Sequence, residues 1–256
     1  AGFQAIYMTG AGVASSQLGV PDIGLITMTE MVTQAKNIVN ATNIPVISDA
    51  DTGYGNAINV MRTIREFEKA GVAAVHIEDQ ITPKKCGHWE GKQIISTKEM
   101  VNKIKAAVEA REDPDFIIIA RTDSKSEFGL EDAIERGKAY GEAGADVIFV
   151  EAPQTVNEIR IISESIKKPL LINLPEGGKT PILPLPELQE MGYRIAIFPS
   201  SLWMTCIEAM QEVLKELNGK GNTDDFRERV VSREELFDFV DISFYRKLEE
   251  QYTKSD

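Results

Sequence analysis

Short apolar runs alternate with longer amphipathic segments of helical period along most of the chain. One pattern recurs four times: the end of a helix, a glycine and then an apolar run. The four segments are AGFQAIYMTG from residue 1, AGVAAVHIED from 70, AGADVIFVEA from 143 and, more loosely, MGYRIAIFPS from 191. Three further apolar runs occupy residues 44–47, 116–120 and 169–172. A glycine that closes a helix and leads into a β-forming run is typical of a helix followed by a strand. The pattern therefore predicts seven strands that alternate with helices.

These strands are apolar on both faces, which favours a parallel sheet covered by helices. The number of units favours a closed (β/α)8 barrel of the TIM type, in the α/β class, over an open sheet. One strand of such a barrel is absent from the count, and residues 1–2 look like the end of a helix, so we expect the first βα unit to be missing. Because no linker interrupts the chain, residues 1–256 are predicted to form a single barrel domain. Its C-terminal tail, about 227–256, contains one predicted amphipathic helix, FVDISFYRKLEEQY.

Charge and composition narrow the range of partners. The 256 residues carry a formal net charge of -12, which repels a phosphate backbone, so we expect no nucleic-acid partner. No apolar run approaches the roughly 18 residues that a membrane span needs, and no signal segment opens the chain. We therefore expect a cytoplasmic protein without a membrane partner. The two cysteines, Cys86 and Cys206, are expected to be free thiols, because a domain of this size needs no disulfide.

Polar side chains follow five of the predicted strands at the point where each strand ends. They are Asp49, Asp51, Glu78, Arg121, Glu151 and Asn173. In a parallel barrel the chemistry lies at this end of the strands. Asp49 and Asp51 are two residues apart, so on an extended segment both side chains project to the same side. With Glu78 they predict a site for a hard cation, Mg2+ or Mn2+, and the alternative is a set of solvated loop acids.

The segment KKCGHWEGK, residues 84–92, places a cysteine among cationic side chains. Lys84, Lys85 and His88 surround the Cys86 sulfur with positive charge, which favours the thiolate. A thiol in this setting differs from a cysteine of the core, which has apolar neighbours. The segment therefore predicts a reactive thiol.

The remaining cysteine and histidine are predicted to be structural. Cys206 lies in the apolar context WMTCIEAM, which is typical of a buried and unreactive cysteine. His76 alternates within the predicted strand AAVHI and is predicted to be packed and hydrogen-bonded. Both lie too far along the chain from Cys86 to give the ligand spacing of a structural zinc site, which we therefore disfavour.

Six segments together resemble the isocitrate lyase and phosphoenolpyruvate mutase superfamily: KKCGHWEGK, SDADTGYG, HIEDQ, ARTDS, VEAP and NLPEGGKTP. The resemblance covers nearly the whole chain, and the cysteine motif points to the carbon–carbon lyase branch. It implies a (β/α)8 barrel whose last helix is exchanged with a neighbouring subunit. The expected assembly is a homo-oligomer, a tetramer built as a dimer of dimers.

The same resemblance implies three groups of site residues. The metal ligands, for Mg2+ or alternatively Mn2+, are Asp49, Asp51 and Glu78. The catalytic residues are Cys86, Arg121, Tyr7, His88 and Lys84. The substrate-binding residues are Thr9, Gly10, Ala11, Asp22, Gly87, Glu151, Asn173 and Arg233. The first three of these align with a loop that binds a substrate carboxylate through backbone N–H groups.

The implied reaction is a retro-aldol type of cleavage of a small 2-hydroxy acid. A base removes the hydroxyl proton, the carbon–carbon bond breaks, and a 2-oxo acid leaves beside an enolate, which Cys86 protonates. Arg121 would neutralise the developing negative charge. Residues 84–92 would act as a lid that closes on the substrate.

The choice of substrate stays open in the sequence. We expect a di- or tricarboxylate such as 2-methylisocitrate, which would give pyruvate and a dicarboxylate such as succinate. Methylisocitrate lyases carry an arginine where this chain has Met204, whereas Arg233 aligns with another of their substrate-binding arginines. NLPEGGKTP is closer to 2,3-dimethylmalate lyases. The alternatives are 2,3-dimethylmalate cleavage, or oxaloacetate decarboxylation or phosphonopyruvate chemistry. A non-catalytic barrel is disfavoured because the metal acids and Cys86 are intact.

Overall fold

A computed structural model describes residues 1–253 of the chain. The chain divides into two compact units, Ala1–Leu202 and a second unit that begins at Trp203. The two units are described separately.

A single parallel sheet forms the centre of the first unit. Its strands within residues 1–253 are β1 (Ile6–Met8), β2 (Val46–Asp49), β3 (Ala74–Glu78), β4 (Ile117–Thr122), β5 (Val147–Val150), β6 (Leu170–Asn173) and β7 (Tyr193–Ile197). Each strand pairs in parallel with the next along the chain, so that the order in the sheet follows the sequence. The seven strands curve into a nearly closed barrel surrounded by helices. The predicted barrel class and the seven predicted strands are confirmed.

Helices connect the strands on the outside of the barrel. They are α1 (Gly10–Val13), α2 (Met28–Asn40), α3 (Ala57–Lys69), α4 (Thr97–Ala110), α5 (Lys125–Phe128), α6 (Leu130–Glu142), α7 (Val156–Ser165) and α8 (Leu185–Glu190), with a π-helical turn over Ala14–Leu18. Capping boxes fix the first turns of α2, α3 and α7. In each, the side chain of the residue before the helix accepts a bond from the backbone N–H three residues on, and the side chain of that later residue accepts one from the backbone N–H of the first. Gly71 and Gly144, which follow α3 and α6 at positive φ, end these helices as the recurring pattern predicts.

Two apolar clusters hold the barrel together. The smaller one is built from strand residues alone and fills the barrel interior; its buried members are Ile47, Ala74, Ile119, Val147, Phe149, Leu171 and Ile197. The larger one lies between the strands and the helices, where α3 contributes Val60, Ile64 and Phe67. Because side chains alternate along a strand, each strand supplies both clusters. This double burial explains why the strands are apolar throughout.

The second unit is helical. The 20-residue helix α9 (Ser201–Lys220) begins just before it and is followed by a 3-10 turn (Asp224–Phe226), α10 (Arg233–Phe239) and α11 (Ile242–Tyr252). The single helix predicted for the tail is therefore wrong. Asp241 takes a left-handed conformation at φ 49°, and its side chain caps α11 by accepting a bond from the Phe244 backbone. This residue divides the predicted helix into two, and residues 254–256 of the predicted tail lie outside the described residues.

Cys206, predicted to be buried, is exposed on α9, so that prediction is also wrong. Its apolar neighbours belong to helix α9, on which no described residue is buried. The exchanged helix and the tetramer stay predictions. Within residues 1–253, no helix is long and apolar enough to cross a membrane.

Candidate active site

The carboxyl ends of the strands bring three acids and an asparagine together inside the first unit. Asp49 ends β2, Glu78 ends β3, Glu151 follows β5 directly and Asn173 ends β6. All four side chains are buried, with at most 8% of the residue surface exposed. Buried charge is costly unless it is paired, so a group of buried acids at this end of a barrel indicates a functional site.

Asp49, His76 and Glu78 form a cluster in which one possible ligand atom from each lies within 4.8 Å of the others. Both carboxylate oxygens of Glu78 lack a hydrogen-bond partner among the described residues, although Arg121 Nε lies 3.3 Å from Oε2. Burial raises the pKa of Glu78 well above its usual range, although the charges of Arg121 and Lys84 act against the rise. A cation at this position would supply the missing partner. The three side chains could therefore hold a divalent metal ion.

The predicted metal acid Asp51 lies beside this cluster and has another partner. Its backbone N–H donates to Asp49 Oδ1 at 2.9 Å, and its own Oδ1 lies 3.1 Å from Lys84 Nζ. Burial raises the pKa of Asp51 to about 7, with Lys84 acting against the rise and Asp49 adding to it. The structure thus brings Asp51 near Asp49 as expected, but gives the third place in the cluster to His76.

His76 is fully buried and hydrogen-bonded, as predicted from its place in the strand. Its Nε2 lies 2.8 Å from the Tyr7 hydroxyl and 3.4 Å from Asp49 Oδ1, while Nδ1 has no partner among the described residues. Burial lowers the pKa of His76, which keeps the ring neutral at pH 7. Burial likewise raises the pKa of Tyr7, so its hydroxyl stays protonated beside the acids. The sequence suggested a packing role for His76 but not its place next to two acids.

Residues 9–11 lie against the same acids. Thr9 caps the short helix α1 through its side chain, and the Gly10 backbone N–H donates to Asp49 Oδ2 at 3.1 Å. A Cβ atom at Gly10 would lie 2.7 Å from that oxygen and 3.5 Å from Asp51 Oδ1. Only glycine therefore allows the 9–11 segment to approach Asp49 and Asp51 this closely.

Arg121 lies at the centre of the acids and bridges them. Its guanidinium donates two bonds of 2.9 Å to Asp123 and lies 3.2 Å from Glu151 Oε2, in addition to its approach to Glu78. The guanidinium carbon also stands 5.1 Å above the ring of Phe149 in the barrel interior. Paired on several sides, the charge is rigidly placed, and it is available to a substrate at the strand ends.

Glu151 is held in its ionised form. Burial opposes ionisation, but Arg121 and His88 outweigh it and hold the pKa of Glu151 at about 2. His88 accepts a bond at Nδ1 from the Lys179 backbone at 3.0 Å, so its proton lies on Nε2, which is 3.0 Å from Glu151 Oε1. Asn173 Nδ2 lies 3.3 Å from both Glu151 oxygens, and its Oδ1 has no partner among the described residues.

Residues 84–92 lie over this group of side chains. A Cβ atom at Gly87 would clash with the Arg121 guanidinium and would lie 2.6 Å from Glu151 Cγ, so the loop makes its closest approach at a glycine. Lys84 reaches down from the loop to Asp51 and makes an ion pair with Asp22. The predicted lid thus lies in contact with the strand-end acids.

The expected effect of positive charge on Cys86 is wrong. Burial raises the pKa of the thiol above its ordinary value, and the negative charge of Asp22 adds to the rise. The lysines of the loop do not neutralise this effect, because Lys84 is paired with acids and Lys85 Nζ donates to the Gly91 carbonyl at 2.8 Å. The half-buried thiol is therefore protonated at neutral pH, the form that a proton donor requires.

Two acids that the sequence did not assign support Arg121. Asp123 holds the guanidinium, and Asp79 accepts a 2.9 Å bond from the Asp123 backbone N–H and a 2.7 Å bond from the Thr122 hydroxyl. Tyr140 also donates to Asp79, at 2.7 Å. A signal for Asp123 was present in the sequence, because it follows Arg121 by two residues and so projects to the same side.

The first unit brings together all but one of the predicted site residues in one region: the 9–11 segment, the strand-end acids, Arg121 and the Cys86 loop. Arg233 begins α10 in the second unit, and its substrate-binding role stays a prediction. A parallel barrel with buried acids and a thiol-bearing loop at its strand ends defines an enzyme of the (β/α) barrel class.

Comparison with known proteins gives the family. Residues 1–218 match the family described as phosphoenolpyruvate phosphomutase. The 2,3-dimethylmalate lyase of Eubacterium barkeri is 49% identical over 251 residues, which cover 98% of this chain and 87% of that protein. The 2-methylisocitrate lyase of Aeropyrum pernix is 45% identical and covers 99% of this chain and 81% of its own. A crystal structure of 2,3-dimethylmalate lyase matches with a TM-score of 0.92 at 40% identity, over 98% of this chain and 84% of that one.

The chain belongs to the phosphoenolpyruvate mutase and isocitrate lyase superfamily, and the predicted resemblance is confirmed. Its named relatives are lyases, which supports the predicted carbon–carbon lyase.

Proposed function

We propose that the protein is a metal-dependent carbon–carbon lyase that cleaves a small 2-hydroxy di- or tricarboxylate into a 2-oxo acid and a second carboxylate. One observation carries the proposal: the loop 84–92, which bears a half-buried thiol whose pKa burial raises, packs against the buried Arg121, and Arg121 lies 3.3 Å from Glu78 of the Asp49, His76 and Glu78 cluster. Retro-aldol cleavage needs those elements, namely a cationic site for the developing charge and an acid for the carbanion.

The metal would be held by Asp49 and Glu78, with Asp51 and His76 beside it. Carboxylate oxygens favour Mg2+ or Mn2+, and the partnerless oxygens of Glu78 fit such an ion. When bound, the ion would act as a Lewis acid for the carboxylate and hydroxyl oxygens of the substrate.

The residues of the chain perform the remaining steps. The 9–11 segment binds a substrate carboxylate through backbone N–H groups, while Glu151 and Asn173 orient the substrate. The hydroxyl proton leaves to a base, and the electrons of the carbon–carbon bond move to the departing fragment as an enolate. Arg121 stabilises the negative charge, and the Cys86 thiol donates its proton to the enolate carbon. Tyr7, His88 and Lys84 are assigned to the same catalytic group.

Two substrates are supported, and they differ by one carboxylate. The methylisocitrate assignment is supported by the relative at 45% identity, and 2,3-dimethylmalate by the relative at 49% and by the segment NLPEGGKTP. Retro-aldol cleavage of either acid gives pyruvate. The second product is succinate from 2-methylisocitrate and propionate from 2,3-dimethylmalate. The bond that breaks joins the hydroxyl-bearing carbon to the adjacent carbon that carries the next carboxylate.

The test is incubation with each acid in the presence of Mg2+, with isocitrate, oxaloacetate and phosphonopyruvate as comparisons. Pyruvate accompanied by succinate or by propionate identifies the substrate, and excess EDTA should abolish the reaction. Full turnover in EDTA would exclude the metal-assisted reaction. Turnover of oxaloacetate or phosphonopyruvate alone would replace the lyase assignment with decarboxylation or phosphonopyruvate chemistry.

A further inference from the structure

The loop that carries Cys86 is attached to the barrel at its two ends. Gln80 and Ile94 form an antiparallel bridge, and the Ile81 N–H donates to the Gln93 carbonyl at 2.7 Å. These bonds fix residues 80–81 against 93–94 and leave the segment between them as a closed loop. They do not reach Cys86 itself, which needs a separate explanation for its position.

Gln80 binds the residue before Cys86 on both sides of its backbone. The Gln80 amide donates to the Lys85 carbonyl at 2.8 Å and accepts from the Lys85 N–H at 2.9 Å. The side chain is almost fully buried, with 1% of the residue surface exposed. A primary amide that makes both bonds to one residue replaces a strand partner, and so fixes the backbone of Lys85 in position and in rotation.

Lys92 binds the residue after Cys86. Its ammonium donates to the Gly87 carbonyl at 2.6 Å and to the Trp89 carbonyl at 2.8 Å, and the Trp89 N–H in turn donates to the Cys86 carbonyl at 2.9 Å. Only 4% of the Lys92 surface is exposed, and among residues 1–253 no carboxylate lies within 4.0 Å of its nitrogen. Burying an ammonium is costly, and a methionine would fill the same space without that cost. The two carbonyl bonds are the contacts that account for a lysine here.

We infer that Gln80 and Lys92 are positioning residues for the Cys86 thiol, because they hold the peptide on either side of it, next to Gly87, whose backbone packs against Arg121 and Glu151. Neither residue donates or accepts the proton in the reaction. The catalytic consequence rests on the proposed function of Cys86 as the proton donor, whereas the hold on the loop does not.

The experiment compares Gln80→Met and Lys92→Met with Lys85→Met. Methionine keeps the length and volume of each side chain and removes its hydrogen bonds. Lys85 is the matched control, because its ammonium also donates to a carbonyl of the same loop, that of Gly91, but from an exposed position. Thermal unfolding of each variant confirms that the fold is intact.

The primary readout is the rate at which iodoacetamide alkylates Cys86, followed by peptide mass spectrometry at fixed pH. Releasing the loop exposes the thiol and removes the burial that raises its pKa, so alkylation in Gln80→Met and Lys92→Met should be faster by about tenfold. Lys85→Met should react at the unaltered rate, and the exposed Cys206 in the same molecules gives an internal reference. Alkylation of Cys86 at the unaltered rate in both methionine variants would overturn the inference.

The kinetic readout separates this inference from the proposed function. A misplaced proton donor should lower kcat in both variants by about tenfold or more, with KM changed less. Faster alkylation without a fall in kcat would show that Gln80 and Lys92 fix the loop, and would contradict the role of Cys86 as proton donor. A fall in kcat without faster alkylation would contradict the inference that these two residues fix the loop.

Hydrogen exchange of the unaltered protein gives an independent test if a variant fails to fold. The Lys85 amide, which donates to Gln80, should exchange about a hundredfold more slowly than in an unstructured peptide. Exchange of that amide at the unstructured rate would overturn the inference.

Discussion

Gly87 shows how one missing side chain determines what the Cys86 loop can contact. Its backbone lies so close to Arg121 that a Cβ atom would clash with the guanidinium and stand 2.6 Å from Glu151 Cγ. We expect Gly87→Ala to lower kcat/KM by about 100-fold, because a displacement of about 1 Å at a catalytic group is enough for such a loss. The melting temperature should change little, since the loop lies outside the apolar clusters.

Gly219→Ala is the control for this substitution. Gly219 lies in α9 and has no atom within 4 Å of the position its Cβ would take, so activity should be unchanged. Full activity of Gly87→Ala would show that the loop does not lie over Arg121 when the enzyme works.

The second prediction at the residue scale concerns the replacement of Cys86. Cys86→Ser keeps the size and hydrogen-bonding capacity of the side chain but replaces the thiol with a much weaker acid. Proton delivery should fail while binding survives, so kcat should fall by about 100-fold or more with KM changed much less. Cys206→Ser, at an exposed position on α9, should leave the kinetics unchanged. Cleavage by Cys86→Ser at the unaltered rate would remove the thiol from the mechanism.

The protonation state of Cys86 also gives a pH prediction. Burial raises the pKa of the thiol above its ordinary value, so the protonated form persists to higher pH than for an exposed cysteine. The thiolate is the form that iodoacetamide attacks. Alkylation of Cys86 should therefore rise with pH at more alkaline values than alkylation of a model thiol. A profile shifted to lower pH would restore the thiolate predicted from the sequence.

The contrast between Cys86 and the strand-end acids shows what a sequence can reveal at this scale. Asp49, Glu78 and Arg121 could be predicted because each follows an apolar run, and the barrel brings all such positions together. The pKa of Cys86 could not, because the charge of Lys84 is directed to Asp22, which is 62 residues away. A local segment shows which charges are near in sequence but not which partners they meet.

At the scale of elements, α6 supports the turn that follows β4. Tyr140 and Arg136 on α6 contact the Asp79 carboxylate at 2.7 and 3.3 Å, and Asp79 accepts the Asp123 N–H. Asp123 in turn holds Arg121. The chain of contacts connects an outer helix to a side chain of the candidate active site.

Asp79→Asn tests this connection. The amide cannot accept from all the donors around it, and it leaves Arg136 without its fully buried anion, so the 121–123 turn should shift. We expect kcat/KM to fall by about tenfold or more and the melting temperature to drop. In an Arg121→Lys background the same substitution should have a much smaller further effect on kcat/KM, because both changes act through one side chain.

Asp132→Asn is the control for the helix. Asp132 also binds Arg136, through Nε at 2.7 Å, but its side chain is 38% exposed and makes no contact with Asp79. It should therefore leave kcat/KM unchanged. Equal losses from both substitutions, or additive losses with Arg121→Lys, would contradict a specific role for Asp79.

The elements themselves differed in how far they could be predicted. All seven strands could be predicted, because burial on both faces makes each one a continuous apolar run bounded by polar residues. The tail could not be divided correctly, because Asp241 is compatible with a helix interior by composition and breaks the helix through a left-handed backbone. The Gln80 and Lys92 contacts were also missed, since a hydrogen bond from a side chain to a loop carbonyl leaves no periodic pattern.

At the scale of the whole molecule, the second unit exposes an apolar stripe. Ile207, Met210, Leu214 and Leu217 recur at helical spacing along α9, and each is more than 40% exposed. A stripe of this kind on a helix is typical of a surface that another subunit covers. We therefore expect an oligomer by light scattering at micromolar concentration, and the family resemblance implies that it is a tetramer with exchanged C-terminal helices.

Met210→Glu and Leu214→Glu should each shift the protein to smaller species, because a charge on this stripe would be buried without a partner. Lys215→Glu, one residue further along the same helix, is the control and should leave the mass unchanged. A stable and active monomer of the unaltered chain would refute the exchanged-helix assignment.

Metal binding should appear in the stability of the whole molecule as well as in turnover. A ligand that binds only the folded state stabilises it by about 2.7 kcal/mol at a concentration of 100 Kd, which corresponds to a rise in melting temperature of several degrees for a chain of this size. Mg2+ should therefore raise the melting temperature of the unaltered protein.

Glu78 lies at 0% exposure with both carboxylate oxygens lacking hydrogen-bond partners among the described residues. Glu78→Gln removes a buried carboxylate that no hydrogen bond satisfies, while Arg121, its ion-pair partner, keeps Asp123 and Glu151. In EDTA the variant should therefore be at least as stable as the unaltered chain, yet it should show no response to Mg2+. Glu250→Gln, an exposed position on α11, should keep both the starting melting temperature and the rise. A Glu78→Gln protein that is destabilised in EDTA and still stabilised by Mg2+ would mean that Glu78 supports the barrel and that the ion binds elsewhere.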